Sequence, residues 1–456
     1  MRTTLRRTAR VLAVVLAALL LPALGAAVAV PAAFAAPYEP GPDRPVPAAA
    51  PIAHDPAKPT AVVVVGERGA IVSDVLAPYE VLASTGRFNV YTVAPRRAPV
   101  PLTGGLDLVP DLTFDELAAR LGGAADLVVV PALPDVGEPS TAPVTDWLRT
   151  QDADGAMLLG VCNGSGVLAS AGLLDGRPAT AHWLRFPRYE SAYPDVDWVR
   201  GQRFVDDGDV VTTAGILASI DGTLHVVERL LGPAAADDAA TAVGWRHFRA
   251  DPPVTTQVAF PDPAAIVNAG WRWLPPTIGV ALVEGTGEIE LAAAFDPYGG
   301  QSLATRTLAV SADGAPVRSR HGLLFLPRDD VAGAAADLDR LIVPGAAAAA
   351  ARPIAPTAGA PEPEYPHSAP GFPFDAAIID LARTTDVATA RWTAKVLELP
   401  TGGLELEGPA WPWGVTAVPL LLALVGVGGA VGVMSILRRR RAAAEHGVRP
   451  SPGGPP

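Results

Sequence analysis

Apolar residues fall into two kinds of block along this chain. Two are long and uncharged, 11–30 and 413–437; the others are short runs such as 61–65, 127–130 and 278–283, bounded by glycine, proline or polar residues. Short runs of this type read as strands buried on both faces of a sheet. The pattern predicts strands at 61–65, 88–93, 106–110, 127–130, 156–159 and 209–213. It predicts helices from Ser73-Asp74 to Leu82 and over 113–121, 143–151, 167–171 and 219–231. Ser73 or Asp74 is placed to cap the first helix. Strands alternating with helices specify an α/β domain with a doubly wound parallel sheet, here over 60–235.

The second half repeats the first. The run 278–285 matches the first strand, and Asp296-Pro297-Tyr298 matches Ala77-Pro78-Tyr79. The runs 307–311 and 339–345 match 91–95 and 126–132 in the same order. Landmarks kept in order describe a duplication, so 277–400 is read as a degenerate second α/β copy. Its tail, 346–371, is an Ala/Pro tract without cysteine, followed by a closing helix over 374–399. The second copy therefore lacks a nucleophile and is not expected to be catalytic.

The two long blocks change where these domains reside. Arg2, Arg6, Arg7 and Arg10 precede the first, and Ala33-Phe34-Ala35 follows it as a small-x-small cleavage site. Residues 1–35 thus read as an export signal with Ala36 as first mature residue, or else as an uncleaved signal anchor. The second block spans a hydrocarbon core of roughly 30 Å. Trp411 and Trp413 mark one interface and Arg438 to Arg441 the other, which makes 413–437 a transmembrane helix and 438–456 a cytoplasmic tail. Gly428 and Gly432 give it a G-x-x-x-G pair. The expected product is a single-pass type I plasma-membrane protein with its bulk extracytoplasmic. Residues 36–59 and 236–276 read as linkers and 401–412 as a juxtamembrane segment.

A formal net charge of −12 over 456 residues disfavours nucleic acid as a partner. One cysteine in an exported chain rules out a disulfide framework. No Cys/His set has metal-ligand spacing, and no cofactor is expected. The single cysteine lies in Gly160-Val161-Cys162-Asn163-Gly164-Ser165, between the strand 156–159 and the helix 167–171. A glycine-flanked turn there suits a nucleophile elbow, whose tight strand-to-helix bend requires small neighbours. A helix N-terminus would favour the thiolate. The other reading is a small cysteine buried as a hydrophobe.

The elbow, followed by Leu168-Ala169-Ser170-Ala171-Gly172-Leu173-Leu174-Asp175-Gly176-Arg177 and by Ala179-Thr180-Ala181-His182-Trp183, resembles the ThiJ/PfpI family. Residues 73–82, 211–216 and 219–221 fit the same branch, which holds isonitrile hydratase and the ligand domains of AraC-type regulators. The resemblance covers about 60–235. It implies a flavodoxin-like, class I glutamine amidotransferase-like fold with Cys162 as nucleophile and Asp74 as the acid assisting it. It further implies an oxyanion or carbonyl site at the backbone of Asn163, Gly164 and Ala132, and a branch histidine at His182. Two departures stand out. Asn163 replaces the histidine that follows the cysteine in peptidase members, and Ala132-Leu133 replaces a Gly-Gly pair.

Two functions follow as expectations: a cysteine-dependent hydratase or hydrolase acting on a small electrophile, or a non-catalytic small-molecule-binding or redox-sensing module. Family members often pair, which leaves a homodimer and an intramolecular pseudo-dimer both open.

Overall fold

The computed structural model describes residues 2–47, 52–250 and 262–447. Parts of both expected linkers (48–51 and 251–261) and the end of the basic tail (448–456) lie outside the described residues. The chain forms two units, one of Met1–Phe34, Ile266–Trp273 and Pro412–Pro456, the other of Ala35–Ala265 and Leu274–Trp411.

In the first unit, helices Arg2–Ala35 and Trp413–Gly447 each contain an apolar stretch long enough to cross a bilayer. The two helices approach closely where a Cβ on Gly426 would overlap the Ala17 carbonyl. The Trp271 indole donates to the Pro22 carbonyl at 3.3 Å. Gly428 and Gly432 meet nothing within 4 Å, and Gly426 is the glycine packed on the N-terminal helix.

The second unit is built on a seven-stranded sheet in the order Leu112–Thr113, Asn89–Ala94, Thr60–Val64, Leu127–Val130, Met157–Gly160, Val210–Thr213, Phe204–Asp206. All neighbours are parallel except the last pair. The central strands are fully buried, as valine-rich runs in a two-sided sheet must be. The predicted strand at 106–110 forms but joins another sheet. Leu106–Val109 pairs antiparallel with Val100–Leu102 and with Leu324–Leu326 of the second copy.

The duplication is visible in register. A five-stranded sheet runs Asp329–Asp330, Arg306–Ser311, Thr277–Ala281, Arg340–Ile342, Pro363–Glu364, the order of the first five strands above. Hydrogen bonds repeat as well. Asp126 accepts from the Thr60 N–H at 2.7 Å, and Asp339 accepts from the Thr277 N–H at 2.8 Å. The copies pack through their first helices, Val72–Ser84 and Glu288–Phe295, and Asp296 accepts from the Ser73 N–H at 3.2 Å and from Thr103 Oγ1 at 2.7 Å.

Four expectations are corrected. The tract 346–371 is not featureless: it carries helix Ala346–Ala351 and the edge strand Pro363–Glu364, where a proline without N–H is tolerated. The closing helix 374–399 is two, Pro373–Thr384 and Val387–Leu397, because Asp386 caps the second by accepting the Thr389 N–H at 2.7 Å. The connection 236–276 contains most of helix Pro233–Ala242, whose Ala235, Ala236, Ala239 and Ala240 are buried, and helix Pro263–Trp271. Residues 36–47 lie on the fold as a strap. Pro37 accepts the Gly104 N–H at 3.0 Å, Arg328 donates to the Glu39 carbonyl at 2.6 Å, and Arg44 pairs with Asp107.

Candidate active site

Cys162 follows strand Met157–Gly160 with φ at +57°, a left-handed conformation that costs a non-glycine residue about 1–3 kcal/mol. Three hydrogen bonds hold the turn: Val161 N–H to the Val130 carbonyl at 2.8 Å, Gly164 N–H to the Val161 carbonyl at 2.7 Å, and Cys162 N–H to Thr213 Oγ1 at 3.3 Å. Helix Gly164–Ser170 starts directly after it. A Cβ on Gly164 would overlap the Val130 carbonyl, and one on Gly166 would overlap the Tyr189 ring. Strain at a single non-glycine residue, enforced by crowded glycines, is elbow geometry rather than passive packing.

Asp74 stands third in helix Val72–Ser84. Neither it nor Ser73 caps the helix; the cap residue is Ile71. The Asp74 Oδ2 instead accepts the Ala132 N–H at 3.1 Å, Oδ1 has no hydrogen-bond partner, and the carboxyl interacts with the Cys162 thiol. Both groups are buried. Burial raises the proton affinity of each; the charge of Asp74 raises that of Cys162 further, and the charges of Asp296 and Glu398 raise that of Asp74 against the pull of its contact with the thiol. The expected thiolate is therefore corrected. The Asn163 N–H and Arg185 favour it, but burial, Asp74 and Glu398 prevail and the resting thiol is protonated.

The other predicted residues divide. Asn163 stays with the cysteine: its N–H supports a charged sulfur, and its buried Oδ1 has no partner. The remaining oxyanion donors are engaged, the Ala132 N–H by Asp74 and the Gly164 N–H by Val161. His182 has both ring nitrogens engaged away from the thiol. Its Nε2 donates to the Val396 carbonyl at 2.9 Å while Nδ1 accepts the Leu184 N–H at 3.2 Å, and burial pushes its pKa down to about 4. It is a neutral histidine joining the two copies beside Trp183.

Two neighbours were not found in the sequence. Tyr38 on the strap packs near Gly69, 3.1 Å from where a Cβ there would lie, and its hydroxyl is held protonated by burial, with Asp296 and Asp74 adding to it. Glu398 reaches the site from the end of helix Val387–Leu397, and its charge is felt by both Cys162 and Asp74. No local signal marks either one, since each is brought in by tertiary packing.

Comparison with known proteins accords with this geometry. A profile for the DJ-1/PfpI family matches residues 60–229. Isonitrile hydratase of Pseudomonas putida is 31% identical over 207 residues, 45% of this chain and 86% of that protein. The chain belongs to the DJ-1/PfpI family. The HTH-type transcriptional regulator CdhR of Pseudomonas aeruginosa is 36% identical over 138 residues, a match spanning 30% of this chain and only 39% of the regulator. Among solved structures, a ThiJ/PfpI family protein from Pseudomonas syringae aligns at 25% identity with a TM-score of 0.37, over 41% of this chain and 76% of that one.

Within this DJ-1/PfpI chain the second copy holds an altered version of the same site. Val343 is equivalent to Val130, which pairs with Gly160. Extending the pairing of Ile342 with Glu364 by one residue sets Tyr365 opposite Val343 and places His367 at the Cys162 position. Glu290, third in its helix, stands where Asp74 does. Its oxygens are saturated by the Gly287 N–H at 2.9 Å, Arg320 at 2.9 Å and the Ala346 N–H at 2.7 Å, and His367 Nδ1 accepts the Gly345 N–H at 3.0 Å. Glu80, Glu288 and His321 cluster between the copies with ligand atoms within 4.8 Å of one another. Their oxygens are taken by Arg320, the Ile289 N–H and His321, which suits an ion network better than a metal.

Proposed function

We propose that this protein is a cysteine-dependent hydratase of small electrophiles, with an isonitrile as the substrate class that fits best. The observation that carries this reading is the buried Asp74 carboxyl set beside the Cys162 thiol at a strained elbow, where burial favours the protonated form of both. An isonitrile accepts a proton and a nucleophile on one and the same carbon, so donor and nucleophile must converge on a single point. Asp74 delivers its proton to the terminal carbon of R–N≡C as Cys162 Sγ bonds to it, and the thiol proton passes to the Asp74 carboxylate. The result is a thioimidate, R–N=CH–S–Cys162. Water then adds to that carbon, nitrogen takes a proton, the C–S bond breaks, and the formamide R–NH–CHO leaves with the thiol restored. The sum is one water added, with nothing oxidised or reduced. The similarity to isonitrile hydratase across most of its length supports the same class. The full chain, purified in detergent, is expected to convert ethyl isocyanide to N-ethylformamide, and Cys162→Ala to produce none. Equal behaviour of the two against isonitriles, nitriles and reactive carbonyls would overturn the proposal.

A binding module is the second reading, favoured by the engagement of the Ala132 N–H and the burial of the thiol. Saturable binding of an isonitrile without product would select it.

We also propose that the α/β unit is displayed outside the plasma membrane, with 1–35 as export signal and 413–437 as anchor. The apolar length of both helices and the arginine cluster after the second support this. The packing of Gly426 on Ala17 favours a variant in which the N-terminal helix stays as a second membrane element. Protease protection in sealed vesicles tests the orientation.

A further inference from the structure

The resting Asp74 carries a proton and donates it, so it is not free to take another from the water that hydrolyses the thioimidate. A second base is needed, and the first copy supplies none beside Cys162. We propose that Glu398, delivered by the second copy, is the general base that deprotonates the hydrolytic water. This inference rests on the hydratase reading above.

The placement is specific. Strand Val210–Thr213 runs beside the elbow strand, and Thr213 Oγ1 accepts the Cys162 N–H. Two residues on, Gly215 faces the Glu398 carboxyl so closely that a Cβ on Gly215 would overlap it. Glu398 is 9% exposed, and neither of its carboxylate oxygens has a side-chain partner. Its backbone is anchored by neighbouring elements, and the group set against its carboxyl is the Gly215 backbone. Arg203 donates to the Glu398 carbonyl at 3.2 Å and pairs with Asp221 at 2.6 Å, and the Leu217 N–H donates to the Leu397 carbonyl at 3.0 Å. Glu398 itself ends helix Val387–Leu397 as its left-handed cap at φ +53°, with its N–H on the Ala394 and Lys395 carbonyls. A helix-terminal residue with an anchored backbone and a buried carboxyl that no side chain claims is set to act on something that enters later. Burial, the largest influence, pushes its pKa up to about 7 against the pull of Arg203 and of the Gly215 N–H, with Asp221 adding to the rise, so it exchanges a proton readily at neutral pH.

The protons balance. Glu398 takes one from water as Asp74 gives one to the thioimidate nitrogen. On collapse, the hydroxyl proton returns to Asp74 and the Glu398 proton goes to the departing sulfur. Both carboxyls end as they began.

The test is rapid-quench intact-mass analysis of the full chain with ethyl isocyanide. Wild type is expected to release N-ethylformamide with little adduct. Glu398→Gln is expected to form the Cys162 adduct at least as fast as wild type and lose about 100-fold or more in its decay, so that adduct accumulates to one per chain. Its kcat should lose the limb near neutral pH that the wild type shows. Glu398→Asp, which keeps a carboxyl one methylene shorter, should slow decay and leave formation unchanged, and it serves if the Gln variant does not fold. Wild-type decay in either variant would overturn the role of Glu398 while leaving the hydratase reading intact. Neither product nor adduct from wild type would overturn both.

Discussion

Asp74 helps keep Cys162 protonated, while burial keeps the proton on Asp74 itself. Both acids are buried at the elbow, and a thiolate there would face the Asp74 charge without the shielding of water.

Alkylation of Cys162 should therefore run opposite to the helix-dipole expectation. Its rate should titrate above the free-thiol value of about 8.5, and Asp74→Asn should lower that apparent pKa by removing the neighbouring charge. Peptide-level mass spectrometry of iodoacetamide labelling against pH checks both. A thiol titrating below 8 in the folded wild type would contradict the buried pairing.

Gly164→Ala should destabilise the fold by about 2–4 kcal/mol, since backbone rather than a movable side chain meets the new Cβ. Gly123, which meets nothing within 4 Å, provides the control, and Gly123→Ala should be nearly neutral. Urea denaturation of the two variants compares them directly.

Glu398 gives stability an uncommon pH dependence. Its folded pKa, about 7, lies above the unfolded value near 4.5, so the folded state holds the proton longer. Its contribution is full below about pH 4.5 and is lost as pH rises to about 7, amounting to at most about 3 kcal/mol. Glu398→Gln should flatten this decline. Denaturation midpoints between pH 4.5 and 7.5 for both proteins measure it, and parallel curves would count against a buried Glu398.

His182 works in the other direction. A folded pKa of about 4 against 6.5 unfolded keeps its contribution full above about pH 6.5 and removes it as pH falls toward 4. His182→Ala should cost about 2–4 kcal/mol through the lost Val396 bond and the Trp183 contact, and should leave the rate of Cys162 labelling of the remaining folded protein unchanged. A large change in labelling would return His182 to the site.

Much of this was legible in the chain. The elbow was, because a glycine-flanked cysteine between an apolar run and a helix has few other uses. So were the matching strands of the two copies, whose register depends on local patterns such as Asp126-Leu127 and Asp339-Arg340. The strand Pro363–Glu364 was hidden, because two residues including a proline carry no strand signal. Thiol protonation was hidden for a different reason. It depends on how deeply Asp74 and Glu398 are buried around Cys162, and Glu398 lies 236 positions further along the chain. The fate of the Ala132 and Gly164 N–H groups is likewise decided by partners that spacing does not reveal.

His367 at the place of Cys162 has a consequence for how such a protein can change. In a two-fold pair of identical subunits every substitution strikes both halves at once, so a nucleophile and the wall facing it are tied to one inheritance. Joining the halves in one chain breaks that symmetry. One half keeps the thiol, while the other is free to lose its own and become the surface that closes over its neighbour.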